Sequence, residues 1–251
     1  MLVLDADTSV VNPNHCIEEY IDPRVDIVFY ERFFNWEIAS GNYLVRNTQF
    51  AKDFLLRWAN YGRNAIDYLW WSGSDNGALH MVFLETILPS DSQEVKNCRN
   101  LWLKARAYDT YVPFVVCVRF YLGATRIWPQ RLKLLRRAHG FCRDWYNTGG
   151  LWTERDFLIH GWKSQTVRDN DWASPFYKDI ELSRCGNNYD GWPWKPDKKV
   201  KIEEIRHLIE LAENRSARTF PKNHLVIPFL DQPDIAQCYP NCDINERFSS
   251  N

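Results

Sequence analysis

The stretch MLVLDADTSVVNP, residues 1–13, decides how this chain is read. Four apolar residues, Met1 to Leu4, run straight into Asp5-Ala6-Asp7. The run predicts a buried strand over residues 2–7, and side chains two apart on a strand share a face. Asp5 and Asp7 are therefore expected to project together from the strand's carboxyl end, the edge where open α/β sheets gather ligands. Two adjacent carboxylates repel each other unless a cation sits between them. Hard oxygen donors of this kind suit Mn²⁺ or Mg²⁺, and either ion can also hold a diphosphate.

An Asp-x-Asp triplet alone is weak evidence. The chain carries a second, Asp169-Asn170-Asp171, which follows no apolar run and reads as polar loop. The strand leading into the first pair sets it apart. The same pattern, an apolar strand ending in D-x-D, also resembles the opening motif of haloacid-dehalogenase-type phosphotransferases, where the first Asp is a covalent nucleophile. Those enzymes need a late acidic pair after a lysine. This chain has no Asp-Asp and no Gly-Asp, and its early D-x-x-x-D, Asp22 to Asp26, precedes every lysine.

Composition narrows the classes further. A length of 251 residues suits one large domain, or one domain with a tail. Lys plus Arg is 31 against 32 Asp plus Glu, so no net charge points to nucleic acid or to an anionic membrane surface. Aromatic residues reach 15% with 12 Trp, which either fill core or line sites for sugars and flat ligands. The seven Cys form no C-x-x-C pair, and Cys238 and Cys242, though close, lack a second pair to complete a zinc site. An odd count leaves at least one thiol unpaired if the rest are oxidised. Asn214-Arg215-Ser216 is a glycosylation sequon, a weak pointer to a secretory route. No apolar stretch approaches the roughly 20 residues of a membrane helix, and no signal peptide is visible. A start directly on a core strand predicts missing upstream sequence that could carry a leader or a membrane anchor.

Further strands are expected at 25–30 (VDIVFY), 42–47 (NYLVRN), 113–122 (PFVVCVRFYL) and, ending on His160, within 156–162 (DFLIHGW). A helix should follow Asn47 or Thr48 as cap, with Phe50, Phe54, Leu55, Trp58 and Tyr61 on one stripe. Residues 74–88 are apolar nearly all round and predict a buried helix with Asp75 in its first turn. Helices are also expected at 93–108, with Val95, Cys98, Trp102 and Ala105 inward, and at 201–216. Residues 183–199 read as irregular and 217–251 as a loosely packed tail. The basic run 131–137 (RLKLLRR) reads as a solvated helix face that could touch phosphate. Mixed elements of this kind predict an α/β fold with a mainly parallel central sheet.

Four motifs in order, LVLDADTSVVNP, FYERFFNWEIASGNYLVRNTQFAKDFLLRWANY, SDNGALH and RDFLIHGWK, resemble an uncharacterised family of nucleotide-diphospho-sugar transferase-like proteins expanded in nematodes. More distantly they are similar to fungal and plant galactosyl-, mannosyl- and xylosyltransferases. The resemblance spans about residues 1–185 and implies a GT-A fold lacking its N-terminal nucleotide-binding strands. It implies transfer of a hexose or pentose from a nucleotide-sugar donor to a glycan or glycoprotein acceptor, with Mn²⁺ or Mg²⁺ as cofactor and a retaining outcome.

Carried over by residue, the resemblance implies metal binding by Asp5, Asp7 and His160, with Lys163 on the diphosphate. Ser40, Gly41 and Asn42 would line the donor sugar, and Asp75 and Asn76 would act beside the reacting carbon. The more distant relatives carry a glutamine where Asn76 stands. Trp36, Trp162 and Trp172 are candidates for stacking, with packing as the competing reading. The expected organisation is a glycosyltransferase-like domain at 1–216 and a tail at 217–251, placed in the Golgi lumen by a missing anchor. A non-catalytic binding or scaffold protein that has lost the donor half is the alternative, and a phosphatase the third.

Overall fold

A computed structural model of the chain describes residues 1–33, 35–63, 75–161, 176–178, 181–184, 193–219 and 235–243. It is a mixed α/β structure with two sheets. The larger sheet has the order β1-β4-β3-β6-β5, from β1 (Leu2–Val3), β4 (Tyr43–Val45), β3 (Ile27–Tyr30), β6 (Leu132–Leu135) and β5 (Ile127–Trp128). The smaller runs β2-β8-β7, from β2 (Thr8–Val10), β8 (Leu158–His160) and β7 (Cys142–Asp144). The expected mainly parallel sheet is not what forms. Of the larger sheet's pairings only β3 with β6 is parallel, and in the smaller sheet β8 pairs antiparallel with β2 and parallel with β7. The cause lies in the connections. Residues 31–42 fold back from β3 as a short antiparallel excursion, closed by Arg32 N–H to Glu37 O at 2.7 Å, which delivers β4 antiparallel.

Six helices stand among the described residues: α1 (Gln49–Arg63), α2 (Asp75–Ile87), α3 (Gln93–Lys104), α4 (Tyr108–Leu122), α5 (Ile202–Thr219) and α6 (Ile235–Cys238). Thr48 caps α1, its Oγ1 accepting the Ala51 N–H at 3.2 Å. Eight consecutive residues of α2, Gly77 to Leu84, are buried, as an all-round apolar run requires. They pack with Ile27 and Phe29 of β3, Leu132 and Leu134 of β6, and the inner faces of α3 and α4.

Two elements expected from sequence differ. Residues 113–122 belong to helix α4, not to a strand. The run is rich in Val and Phe, and periodicity cannot separate a buried strand from a helix buried on several sides. Burial of Tyr111, Val112, Phe114, Val115, Val116, Val118 and Leu122 overrides β propensity and the one lost hydrogen bond at Pro113. The Cys98–Cys117 disulfide ties α4 to α3. The basic run 131–137 is not a solvated helix face either. It is strand β6, with Leu132 and Leu134 inward, while Lys133 pairs with Asp22 at 2.9 Å and Arg136 with Asp243 at 2.7 Å. Alternation with period two was the available signal.

Within 217–251, residues 235–243 pack firmly rather than trailing. Ile235 and Tyr239 are buried with Ile205 and Ile209 of α5 and with Phe33, and a Cys238–Cys242 disulfide closes the segment. Cys16 and Cys142 are free thiols. Trp36 is buried, at φ +59°, under the Arg137 guanidinium, which makes it core rather than a stacking surface. No described helix is long and apolar enough to cross a membrane.

Candidate functional site

The acid pair does not sit on a strand. β1 ends at Val3, Leu4 is exposed, and Asp5 to Thr8 form a tight turn closed by Thr8 N–H to Asp5 O at 3.0 Å. That turn carries the chain from the larger sheet into the smaller one. The two carboxylates converge because the turn is held from behind. Buried Asn42 accepts the Asp5 N–H at 3.0 Å and the Thr8 hydroxyl at 2.9 Å through its Oδ1, and donates to the Tyr30 hydroxyl at 3.1 Å. Gly41 leaves room for Asp5, since a Cβ there would stand 2.5 Å from Asp5 Oδ2. Gly41→Ala should therefore push the Asp5 carboxylate aside and weaken divalent-metal affinity several-fold with little loss of stability. Calorimetric Mn²⁺ titration alongside thermal unfolding checks this.

Strand register brings in the third group. His160 ends β8, opposite Thr8 on one side and Asp144 on the other. Its Nε2 stands 3.1 Å from Asp7 Oδ1 and 3.5 Å from Asp5 Oδ2. One donor atom from each of Asp5, Asp7 and His160 lies within 4.8 Å of the others. The ring's other nitrogen, Nδ1, is 2.9 Å from Asp144 Oδ1. A carboxylate on Nδ1 fixes the proton there and turns the Nε2 lone pair toward the acids, the usual arrangement for a metal-ligating imidazole. Two carboxylate oxygens and one such nitrogen form a donor set that fits Mn²⁺, and less readily Mg²⁺.

Charge favours a cation here. The carboxylates of Asp5, Asp75 and Asp144 line the cavity and Asp7 stands beside His160, against a single lining guanidinium, that of Arg32, which pairs with Asp144. Burial pulls the His160 pKa down, but the hydrogen bond to Asp144 and the charges of Asp144 and Asp7 outweigh it and raise the value. Burial likewise pushes Asp144 up, and bonding to His160 and Arg32 brings it below the usual carboxylate range. A metal ion here would have to compete with a proton for Nε2, so any metal affinity would fall as pH drops.

Asp144 and Arg32 were not among the residues singled out from sequence. Arg32 grips Asp144 through Nε and a terminal nitrogen at 3.2 and 2.9 Å, and reaches Glu37 at 3.2 Å. The signal for Asp144 was a carboxylate closing the short strand Cys142–Asp144. Its meaning comes only from register with His160. Asp144→Asn should lower Mn²⁺ affinity by roughly 10- to 100-fold, the usual cost of losing an outer partner of a ligand. Mn²⁺ titration by electron paramagnetic resonance reads the change.

The remaining predicted residues line a cavity of about 520 Å³ beside the triad. Ser40 donates its hydroxyl to Asp75 Oδ2 at 2.8 Å and its N–H to Asn76 Oδ1 at 3.0 Å, joining the loop before β4 to the start of α2. His80, one turn along α2, accepts the Ile38 N–H on Nε2 at 3.0 Å, so its Nδ1 carries a proton, donated to Asn76 O at 2.7 Å. Burial lowers its pKa to about 4, which keeps it neutral. Asp5, Ser40, Gly41, Asn42, Asp75, Asn76 and His160 thus face one space. Lys163, Trp162, Trp172 and the triplet Asp169-Asn170-Asp171 lie outside the described residues.

Fold and site define a mixed α/β protein with an acidic cleft where its two sheets meet, in which Asp5, Asp7 and His160 could hold a metal ion. The chain belongs to the family described as "Protein of unknown function, DUF273", whose model matches residues 1–173. That span holds the acid turn, the cavity and His160. No curated protein and no solved structure matches the chain.

Proposed function

We propose that this chain is a divalent-metal-dependent glycosyltransferase domain of GT-A type. It moves a hexose or pentose from a nucleotide-diphospho-sugar to a glycan or glycoprotein acceptor. One observation carries the reading: Asp5, Asp7 and His160, drawn from turn and strand more than 150 positions apart, offer their donor atoms to one point. They would hold Mn²⁺ or Mg²⁺, which when bound supplies positive charge for a departing diphosphate.

The other roles follow from what each side chain still has to offer. Asp144 holds the imidazole, and Arg32 holds Asp144. The carbonyl of Asn76 is taken by the Ser40 N–H, so its amide N–H₂ is what a donor sugar would meet. Asp75, at the first turn of α2 and exposed, has lone pairs for sugar hydroxyls and a charge suited to a developing oxocarbenium. Disulfides Cys98–Cys117 and Cys238–Cys242 suit an oxidising compartment, in keeping with a Golgi-lumen location.

The test is thermal shift and turnover of the full chain with Mn²⁺ and UDP-glucose, UDP-galactose, UDP-xylose and GDP-mannose. Stabilisation that needs both metal and donor, with release of nucleoside diphosphate, is the expected result. Stabilisation by glycan alone would replace the reading with a binding module. Asp5-dependent hydrolysis of p-nitrophenyl phosphate would replace it with the dehalogenase-type reading.

A further inference from the structure

Among the described aromatic side chains Tyr146 is 62% exposed and Tyr108 is 42% exposed, with Tyr177 and Phe120 exposed elsewhere. Tyr146 stands at the cavity beside the triad. Trp145 and Tyr146 line it directly, and the phenol of Tyr108, the first residue of α4, is hydrogen-bonded to Asn35. The two lining rings meet edge to face, with centroids 6.2 Å apart and planes at 86°.

This lip is built, not incidental. Buried Arg143, next to Asp144, spends its guanidinium on the turn that carries the rings. It donates to both Asp156 carboxylate oxygens at 2.9 Å, to Leu151 O at 3.0 Å and to the Thr148 hydroxyl. The N–H groups of Thr148 and Gly150 close the turn on Trp145 O at 3.1 and 3.2 Å. The Trp145 indole lies flush on Gly161, where any Cβ would stand 2.4 Å from Cδ1 and the backbone has φ +106°. Gly161 follows His160 directly, so the aromatic lip is held at a set distance from the triad.

We infer that Trp145 and Tyr146 form the acceptor subsite, and that the acceptor is a saccharide that lays the C–H face of one ring on the exposed Tyr146, with Trp145 packed edge to face against the tyrosine ring. The inference rests on the transferase reading and names the substrate class of that same cleft. The triad takes the diphosphate and Ser40, Asp75 and Asn76 take the donor sugar. What meets the aromatic side is not an anion, because the carboxylates of Asp5, Asp7, Asp75 and Asp144 repel negative charge. It must also carry an apolar face, since an aromatic ring rewards flat contact. A sugar ring satisfies both. A nucleobase would stack as well, but a bound base is enclosed on both faces, whereas exposure of Tyr146 leaves one side open for a chain that continues into solvent.

The experiment uses the full chain with Mn²⁺ and two probe sets: the disaccharides lactose, cellobiose, xylobiose, chitobiose and α-1,6-mannobiose, and the nucleosides uridine and guanosine. Binding is read by ligand-observed NMR, Mn²⁺ affinity by calorimetry and folding by thermal midpoint. At least one disaccharide should bind. Tyr146→Ala should weaken it by about tenfold and Tyr146→Phe by less than about twofold, as stacking without the hydroxyl requires. Mn²⁺ affinity and midpoint should stay unchanged in both variants. Disaccharide affinity indifferent to Tyr146→Ala overturns the inference, as does a loss confined to the nucleosides. Absence of disaccharide binding while Mn²⁺ and a nucleotide sugar bind normally overturns it too and leaves the transferase standing. Disaccharide binding that depends on Tyr146, in a chain whose Mn²⁺ binding ignores Asp7, sinks the transferase and leaves a saccharide-binding lip.

Discussion

Asp7→Ala is expected to abolish Mn²⁺ binding while leaving the fold in place. Asp7 gives the shortest carboxylate approach to His160 Nε2, at 3.1 Å, and its side chain is far less exposed than that of Asp5, 15% against 48%. Without it, one exposed carboxylate and one imidazole remain, too few donors for a hard divalent ion in water. Stability should hold, because removing one of several crowded carboxylates relieves repulsion. Electron paramagnetic resonance of titrated Mn²⁺ and a thermal melt on the same sample read both halves. Unchanged metal affinity would end the assignment. His160→Ala should lower affinity by about tenfold or more, and no change there would leave His160 as a packing residue.

The second large effect concerns stability. Glu31, at the end of β3, is buried among three arginines. Arg119 bonds its Oε1, Arg126 stands 3.0 Å from Oε2, and the Arg137 N–H donates to Oε2 at 3.1 Å. Glu31→Ala would strand buried guanidinium charge and should cost about 3–5 kcal/mol, read as a shifted urea midpoint. Burial pushes the Glu31 carboxyl up, but Arg119, Arg126 and Arg137 outweigh it and hold the pKa at about 2. The folded value lies below the unfolded one, so the stabilisation is complete above the ordinary carboxylate range. It is lost as pH falls from there toward 2. Glu31→Gln should flatten that part of the stability–pH curve, and an unchanged slope would remove Glu31 as its source.

Much of the site was legible in the chain, though not always for the right reason. The acids of the opening stretch were expected on a strand and converge from a turn, because what aligns them is Asn42 and Gly41 rather than a two-residue repeat. His160 was reachable only through resemblance, since nothing local to LIHGW says what faces it. Asp144, Arg32 and Arg143 were missed as well. Asp144 finds His160 through sheet register and Arg32 finds Asp144 112 positions away, while Arg143 spans a local turn whose shape no periodicity announces. Helix α2 was readable because no side of it needs water. Helix α4 and strand β6 were not, because a Val-rich run and a basic run each satisfy two periodicities until tertiary burial selects one.

The pairing of β2 with β8 has a consequence for biosynthesis. Residues 8–10 wait for residues 158–160 before they acquire a neighbour. A chain emerging from the ribosome therefore carries its two acids long before it carries the imidazole. An ion held by all three groups would be captured only after β2 and β8 have paired, so chelators are expected to leave the refolding rate untouched while lowering the final stability.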